Sequence, residues 1–326
     1  MKAILFDDFG EADVLHLGDA PDPEIRPHDL LVRVHAAGVN RADLNQRRGA
    51  YGRPDFGDST LMGLEMAGEV IGLGAEVSGY RVGDRVMGIV GGGGYASLAR
   101  IDYRMAMPIP ASLDYVQAAA IPEVFVTAHE ALIHLAELRQ GQSVLIHGAA
   151  GGVGTAAVQL ANRVGAHILA TARADKHESL RALGVEACID FQTEDFAEVI
   201  EQRTKGKGID VIIDFVGAPY LARNVLSLAE GGRLIQVGIM GGAADAALPL
   251  DRVLFRHLRI IGTVMKSRPQ AVKQAMVSRF REMWLDQFAA GLLKPIVACA
   301  LPLAEAGEAH RRMEKGGTFG KIILLA

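Results

Sequence analysis

The chain has 326 residues, of which 50% are hydrophobic and 22% are charged, and its formal net charge is −4 at pH 7. This composition is typical of a packed globular protein of about two domains and gives no support to a basic nucleic-acid-binding surface. Two cysteines, Cys188 and Cys299, are too few for a disulfide framework or a cysteine-rich metal site. Acidic residues appear by position 7 and no apolar run is long enough to span a bilayer, so we expect a cytoplasmic protein.

The first 120 residues read as short strands and turns. Strands are predicted at 30–34 and 69–74, and residues 82–86 form a turn that enters a third strand. Pro108 and Pro110 mark the end of this region. The pattern favours a β-rich, barrel-like domain.

From about residue 121 to 262 strands and helices alternate. This alternation predicts an α/β domain with a doubly wound parallel sheet, which is the Rossmann arrangement. The tail carries a helix around 269–290 and an apolar strand at 321–325, which we expect to return to the first domain because they cannot form a core alone. Strands are predicted at 144–147, 167–171, 187–190, 209–213, 232–237 and 258–264, and helices at 151–164, 175–183, 194–203 and 219–229.

A glycine-rich turn follows the first of these strands. Residues 147–154 read HGAAGGVG, in which Gly148, Gly151 and Gly154 form a G-x-x-G-x-x-G relative of the dinucleotide fingerprint. A glycine turn at a helix N-terminus offers backbone N–H groups and partial positive charge to a pyrophosphate. The alternative is a strand-to-helix turn that needs glycine only for close packing.

The end of the second alternating strand bears on the choice between NADP and NAD. An NAD site usually has a carboxylate there to hold the ribose 2′-hydroxyl, but here Arg173 and Lys176 stand in its place. Basic groups favour a 2′-phosphate and therefore NADPH, unless they are only a solvated surface pair. Asp175 and Glu178 are predicted to form a capping box at the start of the next helix.

Several motifs together resemble the medium-chain dehydrogenase/reductase superfamily, in its zeta-crystallin/quinone oxidoreductase branch. The resemblance covers nearly the whole chain and implies a GroES-like catalytic domain at 1–121, a Rossmann domain at 122–262 and a return segment at 263–326. Within the branch, residues 40–47, Tyr51, 121–123 and 238–242 are most similar to the p53-inducible quinone oxidoreductase type. The broader motifs are residues 36–43, 63–68, 82–86, 118–122, 147–154 and 320–324.

The zinc-dependent members of this superfamily bind their catalytic metal through a cysteine, a histidine and a further cysteine or aspartate. In this sequence Asn40 stands near the first ligand position and Leu64 occupies the histidine position. Zinc needs three or four correctly spaced nitrogen or sulfur ligands, so no metal site is predicted. Glu65 is retained from the family's Gly-x-Glu pattern and is interpreted as structural, and Asp84 and Arg85 are assigned to a turn.

Without a metal, alcohol and ketone interconversion loses its main electrophile, whereas hydride transfer to an electron-poor acceptor needs less assistance. The resemblance accordingly implies an NADPH:quinone oxidoreductase. One alternative is an alkenal, enone or enoyl-thioester reductase, which requires a proton donor. An alternative of another class is a crystallin-like NADPH-binding or RNA-binding protein with little turnover.

The resemblance also implies the site residues. Asn40 and Tyr51 match positions beside the nicotinamide and are the expected catalytic residues. Asn40 is expected to hydrogen-bond the acceptor or the cofactor ribose, and Tyr51 to shape the pocket or donate a proton. The alternatives are a turn residue for Asn40 and a partly exposed loop aromatic for Tyr51. Thr127 is placed at the start of a helix that reaches the nicotinamide face, and Phe191 replaces a tyrosine near the adenosine. Met240 has core filler as its alternative role. The full set of expected cofactor-binding residues is Asn40, Tyr51, Thr127, Gly151, Gly152, Val153, Gly154, Arg173, Lys176, Phe191, Gly217, Gly238, Ile239 and Met240.

The expected partners are a small-molecule quinone or enone acceptor and a second copy of the chain. The resemblance implies a homodimer in which the strand near 258–264 pairs across a two-fold axis, which would cover an apolar edge. No membrane partner is expected, and nucleic acid is disfavoured.

Overall fold

The computed structural model describes residues 1–50 and 59–326. The strands of these residues are, in chain order, β1 (Lys2–Leu5), β2 (His16–Asp19), β3 (Asp29–Gly38), β4 (Glu65–Leu73), β5 (Arg85–Ile89), β6 (Leu98–Asp102), β7 (Ala106–Pro108), β8 (Ser143–Ile146), β9 (His167–Ala172), β10 (Ala187–Asp190), β11 (Ile209–Asp214), β12 (Leu228–Gln236), β13 (Arg259–Gly262), β14 (Val297–Pro302) and β15 (Lys321–Leu325).

The α-helices of the same residues are α1 (Arg41–Arg47), α2 (Tyr115–Ala118), α3 (Pro122–His129), α4 (Gly152–Val164), α5 (His177–Ala182), α6 (Phe196–Thr204), α7 (Ala218–Ser227), α8 (Leu250–Phe255), α9 (Gln270–Ala289) and α10 (Ala306–Lys315). A π-helical segment, Glu130–Leu135, continues from α3. Within the described ranges no helix is both long enough and apolar enough to cross a membrane.

The chain forms two compact units. The first contains Met1–Val126 and Lys266–Ala326. Its main sheet has the strand order β14-β15-β3-β4-β5-β7, with β6 paired to β3, and β1 and β2 form a separate hairpin. The C-terminal β15 pairs antiparallel with β3, placing Ile323 opposite Gly38. Ile4, Val39, Leu44, Ile322 and Leu324 belong to one buried cluster, so residues from both ends of the chain share this core.

The second unit, Thr127–Met265, is the predicted doubly wound domain. Its six strands have the order β10-β9-β8-β11-β12-β13, and all neighbouring pairs are parallel. This order confirms the α/β fold class, because it is the Rossmann order with the direction of winding reversed between β8 and β11. Ligands of such sheets bind where the winding reverses, outside the carboxyl ends of the strands.

Two local predictions were wrong. Thr127 lies inside α3, which begins at Pro122, so it is not a helix-start residue. Asp175 does not form a capping box, because a 3-10 turn at Ala174–Lys176 precedes α5 and Lys176 becomes the N-cap. The carboxylate of Asp175 is drawn instead to the neighbouring Arg173 and Lys176 side chains.

Candidate active site

The turns after five parallel strands carry the predicted cofactor-binding residues of the second unit other than Thr127, which lies inside α3. Because the strands are parallel, the turns after β8, β9, β10, β11 and β12 lie at one edge of the sheet. The residues concerned are Gly151 to Gly154, Arg173 and Lys176, Phe191, Gly217, and Gly238 to Met240. The fold therefore brings these residues to one edge of the sheet, although Gly151 and Met240 are 89 positions apart in the sequence.

The glycine turn after β8 has a backbone that side chains would disturb. Gly148 adopts φ 56°, in the left-handed region that favours glycine. A Cβ atom on Gly154 would lie 2.5 Å from the carbonyl oxygen of Gly148. The first helical hydrogen bond of α4 runs from Thr155 to Gly151, so the N–H groups of Gly152, Val153 and Gly154 precede the helical ladder. Such free N–H groups suit a pyrophosphate.

The two basic residues after β9 form ion pairs with the same carboxylate, that of Asp175. Arg173 Nε lies 3.5 Å from Asp175 Oδ1, and Lys176 Nζ lies 3.1 Å from Asp175 Oδ2. Hydrogen bonding to Lys176 and the two cationic charges lower the pKa of the Asp175 carboxyl. The Asp175 carboxylate is exposed in both pairs, and ion pairs at the surface are weak, so both cations can exchange Asp175 for a phosphate.

The large apolar residues predicted at this edge are exposed, whereas Gly217 is buried and Gly238 is half-buried. Ile239 and Met240 follow β12 and are 58% and 55% exposed, which makes the core-filler interpretation of Met240 wrong. Phe191 directly follows β10 and is also exposed. Large apolar side chains left at the ligand edge of a sheet suit contacts with a flat ring system.

A buried polar cluster lies in the first unit around the Asn40 side chain. Lys321 Nζ, at the start of β15, donates to Val39 O at 2.7 Å, Asn40 Oδ1 at 2.7 Å and Glu65 Oε1 at 2.6 Å. Asn40 Nδ2 donates in turn to Glu65 Oε1 at 2.9 Å and Gly38 O at 3.3 Å. The three ammonium hydrogens thus have three oxygen acceptors inside the protein.

This cluster fixes Asn40 rather than leaving it free. Since Asn40 Oδ1 accepts from Lys321, its amide nitrogen must face Glu65 and Gly38, and both amide hydrogens are engaged. A direct hydrogen bond from Asn40 to a ligand therefore requires exchange of one of these partners. Tyr51, its predicted neighbour in the site, lies outside the described residues.

Two further carboxyl groups lie next to the cluster. The main-chain N–H of Glu123 donates to Glu65 Oε2 at 2.8 Å, and burial together with the charge of Glu65 raises the pKa of the Glu123 carboxyl to about 8. Burial raises the pKa of Asp43 to about 6, although Asp43 accepts from the Asn40 N–H and the Tyr95 hydroxyl. Glu123 is therefore mostly a neutral acid at pH 7.

Sequence reasoning missed Lys321, which it assigned only to an apolar strand. The available signal was a single charge at the head of the run Lys321-Ile322-Ile323-Leu324-Leu325, in which Ile322 and Leu324 pack into a core. A lysine is rarely buried unless it is paired, and the retained Glu65 was the unexplained acid. Lys321 and Glu65 are 256 positions apart, so the sequence pattern did not indicate that they form a pair.

The residues of this cluster do not fit a zinc ion. Leu64 has no ligand atom, and the Lys321 ammonium contacts the oxygen atoms of Asn40 and Glu65. A cation in this position repels a divalent metal, and zinc prefers nitrogen and sulfur ligands. Elsewhere in the described part of the chain, no group of three or more histidine, cysteine, aspartate and glutamate residues is placed to hold a metal.

Comparisons with known proteins agree with the fold. Residues 26–111 match the family described as alcohol dehydrogenase GroES-like domain, and residues 152–282 match that described as zinc-binding dehydrogenase. The chain is 34% identical to human quinone oxidoreductase over 330 residues, covering 100% of this chain and 98% of the relative.

Solved structures give the same picture. Escherichia coli quinone oxidoreductase complexed with NADPH superposes with a TM-score of 0.90 at 27% identity, covering 100% of both chains. CurK enoyl reductase superposes with a TM-score of 0.88 at 29% identity, covering 99% of this chain and 98% of that chain. These likenesses extend over both units of the fold.

Proposed function

The chain belongs to the medium-chain dehydrogenase/reductase superfamily and is an oxidoreductase of the quinone oxidoreductase type, and from this premise we propose that it is a zinc-independent, NADPH-dependent quinone reductase. The superfamily binds a nicotinamide cofactor and acts on small molecules. We therefore propose three specific features: NADPH as the cofactor, a quinone as the acceptor and no catalytic metal.

The observation that carries this proposal is the Lys321 ammonium, which is held by Asn40 and Glu65. A reductase without a Lewis acid suits acceptors that are already electron-poor, such as quinones. When bound, the reduced nicotinamide supplies the hydride. The chain's own residues have binding roles, with Gly152 to Gly154 as donors to the pyrophosphate and Ile239 and Met240 as apolar contacts.

The proposal is tested by comparing acceptors and by measuring metal content. With NADPH as donor, we expect faster turnover of 9,10-phenanthrenequinone than of crotonyl-CoA, because the quinone needs no protonation at carbon. We expect substoichiometric zinc in the purified protein and unchanged rates after chelation. Stoichiometric zinc whose removal abolishes turnover would reject the metal-free mechanism.

A second candidate is reduction of a double bond conjugated to a carbonyl, as the likeness to CurK enoyl reductase suggests. Such a reaction needs a proton after hydride transfer. Glu123 favours this candidate, because its raised pKa of about 8 makes it a neutral carboxylic acid at pH 7. Faster turnover of crotonyl-CoA in the same assay would select this candidate over quinone reduction.

The preference for NADPH is assigned to Arg173 and Lys176. We expect the double variant Arg173→Ala/Lys176→Ala to weaken NADPH binding about tenfold or more, since two charge-assisted contacts to the 2′-phosphate are lost. NADH binding should change less than about twofold in the same titration. Arg163→Ala, an exposed arginine near the end of α4, is the matched control. Equal losses of affinity for NADPH and NADH would show that the two cations do not bind the 2′-phosphate.

The proposed homodimer uses the edge of the parallel sheet. Within the described residues β13 pairs on one side only, with β12, and Phe255 of the preceding α8 is 77% exposed. We expect Phe255→Asp/Ile260→Asp to weaken self-association at least about tenfold, because it places charges at an apolar contact. Analytical ultracentrifugation measures the shift. A wild-type chain that sediments as a monomer at micromolar concentration would contradict the dimer.

A further inference from the structure

His147 opens the glycine turn and is not used by the proposed chemistry. It directly follows β8 and is completely buried, so it cannot touch a ligand from solvent. Its ring packs edge-on against Phe196 and Tyr220, with centroid distances of 4.7 and 4.8 Å. Both ring nitrogens nevertheless have polar partners. Nδ1 lies 3.0 Å from Thr171 Oγ1, and Nε2 lies 2.8 Å from Asn224 Oδ1.

The direction of each hydrogen bond follows from Asp214 at the end of β11. Asp214 accepts from the Val216 N–H at 2.6 Å and from Asn224 Nδ2 at 3.0 Å. Burial raises the pKa of Asp214, whereas the hydrogen bonds from the Val216 and Gly217 N–H groups favour its ionised form. An ionised carboxylate only accepts, so Asn224 presents its amide nitrogen to Asp214 and its carbonyl oxygen to His147. His147 must then carry its proton on Nε2, and its bare Nδ1 accepts from the hydroxyl of Thr171.

This series of hydrogen bonds, from Thr171 through His147 and Asn224 to Asp214, ends on the backbone of two turns. At one end the Gly148 N–H donates to Thr171 Oγ1 at 3.3 Å. At the other end the Gly217 N–H donates to Asp214 Oδ2 at 3.2 Å. Gly148 follows β8 and Gly217 follows β11, and these are the two strands between which the winding of the sheet reverses. The polar chain therefore fixes both turns that border the expected dinucleotide crevice.

We propose that His147, held as the Nε2–H tautomer by Thr171 and Asn224, is a positioning residue that presets the Gly148 and Gly217 turns for the dinucleotide. This rests on the proposed nicotinamide site, and it adds a role for a residue under that site. Because the turns are set before binding, the free energy of nucleotide binding is not spent on ordering them. Loss of these hydrogen bonds lowers the affinity for the nucleotide. Once the nucleotide is bound, the two turns largely regain the geometry that hydride transfer requires.

The experiment compares His147→Phe with wild type, because phenylalanine keeps the ring contacts to Phe196 and Tyr220 but removes both hydrogen bonds. NADPH affinity is measured by fluorescence titration, and kcat is measured with 9,10-phenanthrenequinone at saturating NADPH. We expect the Kd for NADPH to rise about tenfold and kcat to stay within about threefold. His167→Phe, which removes an exposed histidine of the same unit, is the matched control and should leave both values unchanged.

If His147→Phe does not fold, two milder variants test the same positioning role. Thr171→Val removes the hydroxyl that joins His147 to Gly148, and Thr171→Ser retains it. We expect Thr171→Val to raise the Kd for NADPH about three- to fivefold and Thr171→Ser to restore it. If Val and Ser variants bind NADPH alike, or if His147→Phe lowers Tm without changing Kd, the positioning role is rejected. Wild type that binds neither NADPH nor NADH would instead reject the proposed function.

Discussion

Replacing Lys321 with methionine is expected to lower the free energy of unfolding by about 3–5 kcal/mol, which is the usual loss when one partner of a buried ion pair is removed. Lys321 is buried and Glu65 is completely buried, with Nζ and Oε1 2.6 Å apart. Methionine has nearly the same volume but leaves the Glu65 carboxylate without its cation and removes the Lys321 donor from Val39 O and Asn40 Oδ1. Urea denaturation followed by circular dichroism measures the loss.

Two further variants separate the charge from the packing. Lys321→Met/Glu65→Gln removes both charges and should recover at least half of the loss, because position 65 no longer holds an unpaired buried carboxylate. Lys2→Met is the matched surface control, since Lys2 forms an exposed pair with Asp19, and should cost less than about 1 kcal/mol. A small loss in Lys321→Met, similar to that of Lys2→Met, would mean that the cluster does not depend on its cation.

Acid is expected to destabilise the wild type by about 3 kcal/mol more than the His147→Phe variant as the pH falls from 7.5 to 4. Burial, and to a smaller extent the charge of Arg223, lowers the pKa of His147 from 6.5 to about 4, although the Asn224 hydrogen bond acts in the opposite direction. Between these two values the unfolded chain binds the proton and the folded protein does not. The stabilising contribution is therefore complete above pH 6.5 and is lost progressively towards pH 4.

The comparison between variants isolates His147 from other buried groups. The pKa of His310 is lowered to about 3 by burial and adds acid sensitivity of the same sign. The pKa values of Asp43 and Glu123 are raised by burial to about 6 and about 8, so these groups oppose it. All three are present in both proteins and cancel in the difference. Thr171→Val keeps the titrating ring and should keep the wild-type pH dependence. Parallel stability profiles for wild type and His147→Phe would contradict the assignment.

The sequence predicted the second unit well because its signals are local. Parallel strands such as Val144 to Ile146 are short apolar runs, and the helices between them show regular apolar spacing. The glycine turn was readable since Gly148 and Gly154 meet steric demands set by their immediate neighbours. Where local signals competed, as at Asp175, prediction failed, because an ion pair and a capping box use the same carboxylate.

The two polar clusters were beyond sequence reasoning for a physical reason. Lys321 meets Glu65 across 256 positions, and His147 meets Asn224 across 77, so no periodicity connects them. A charged or polar residue in an apolar run signals that a partner must exist, since burial without one costs several kcal/mol. The run itself does not say which partner is used.

The sequence by itself determined the α/β class, the alternation of strands and helices in the second unit and the glycine turn at the head of α4, because each depends on residue type and on neighbours a few positions away. Only the tertiary structure decided that Lys321 joins Asn40 to Glu65 and that His147 joins the turns after β8 and β11. Hydrogen bonds and ion pairs act over about 3 Å and require partners brought together by the sheets, so their identity is a property of the folded chain.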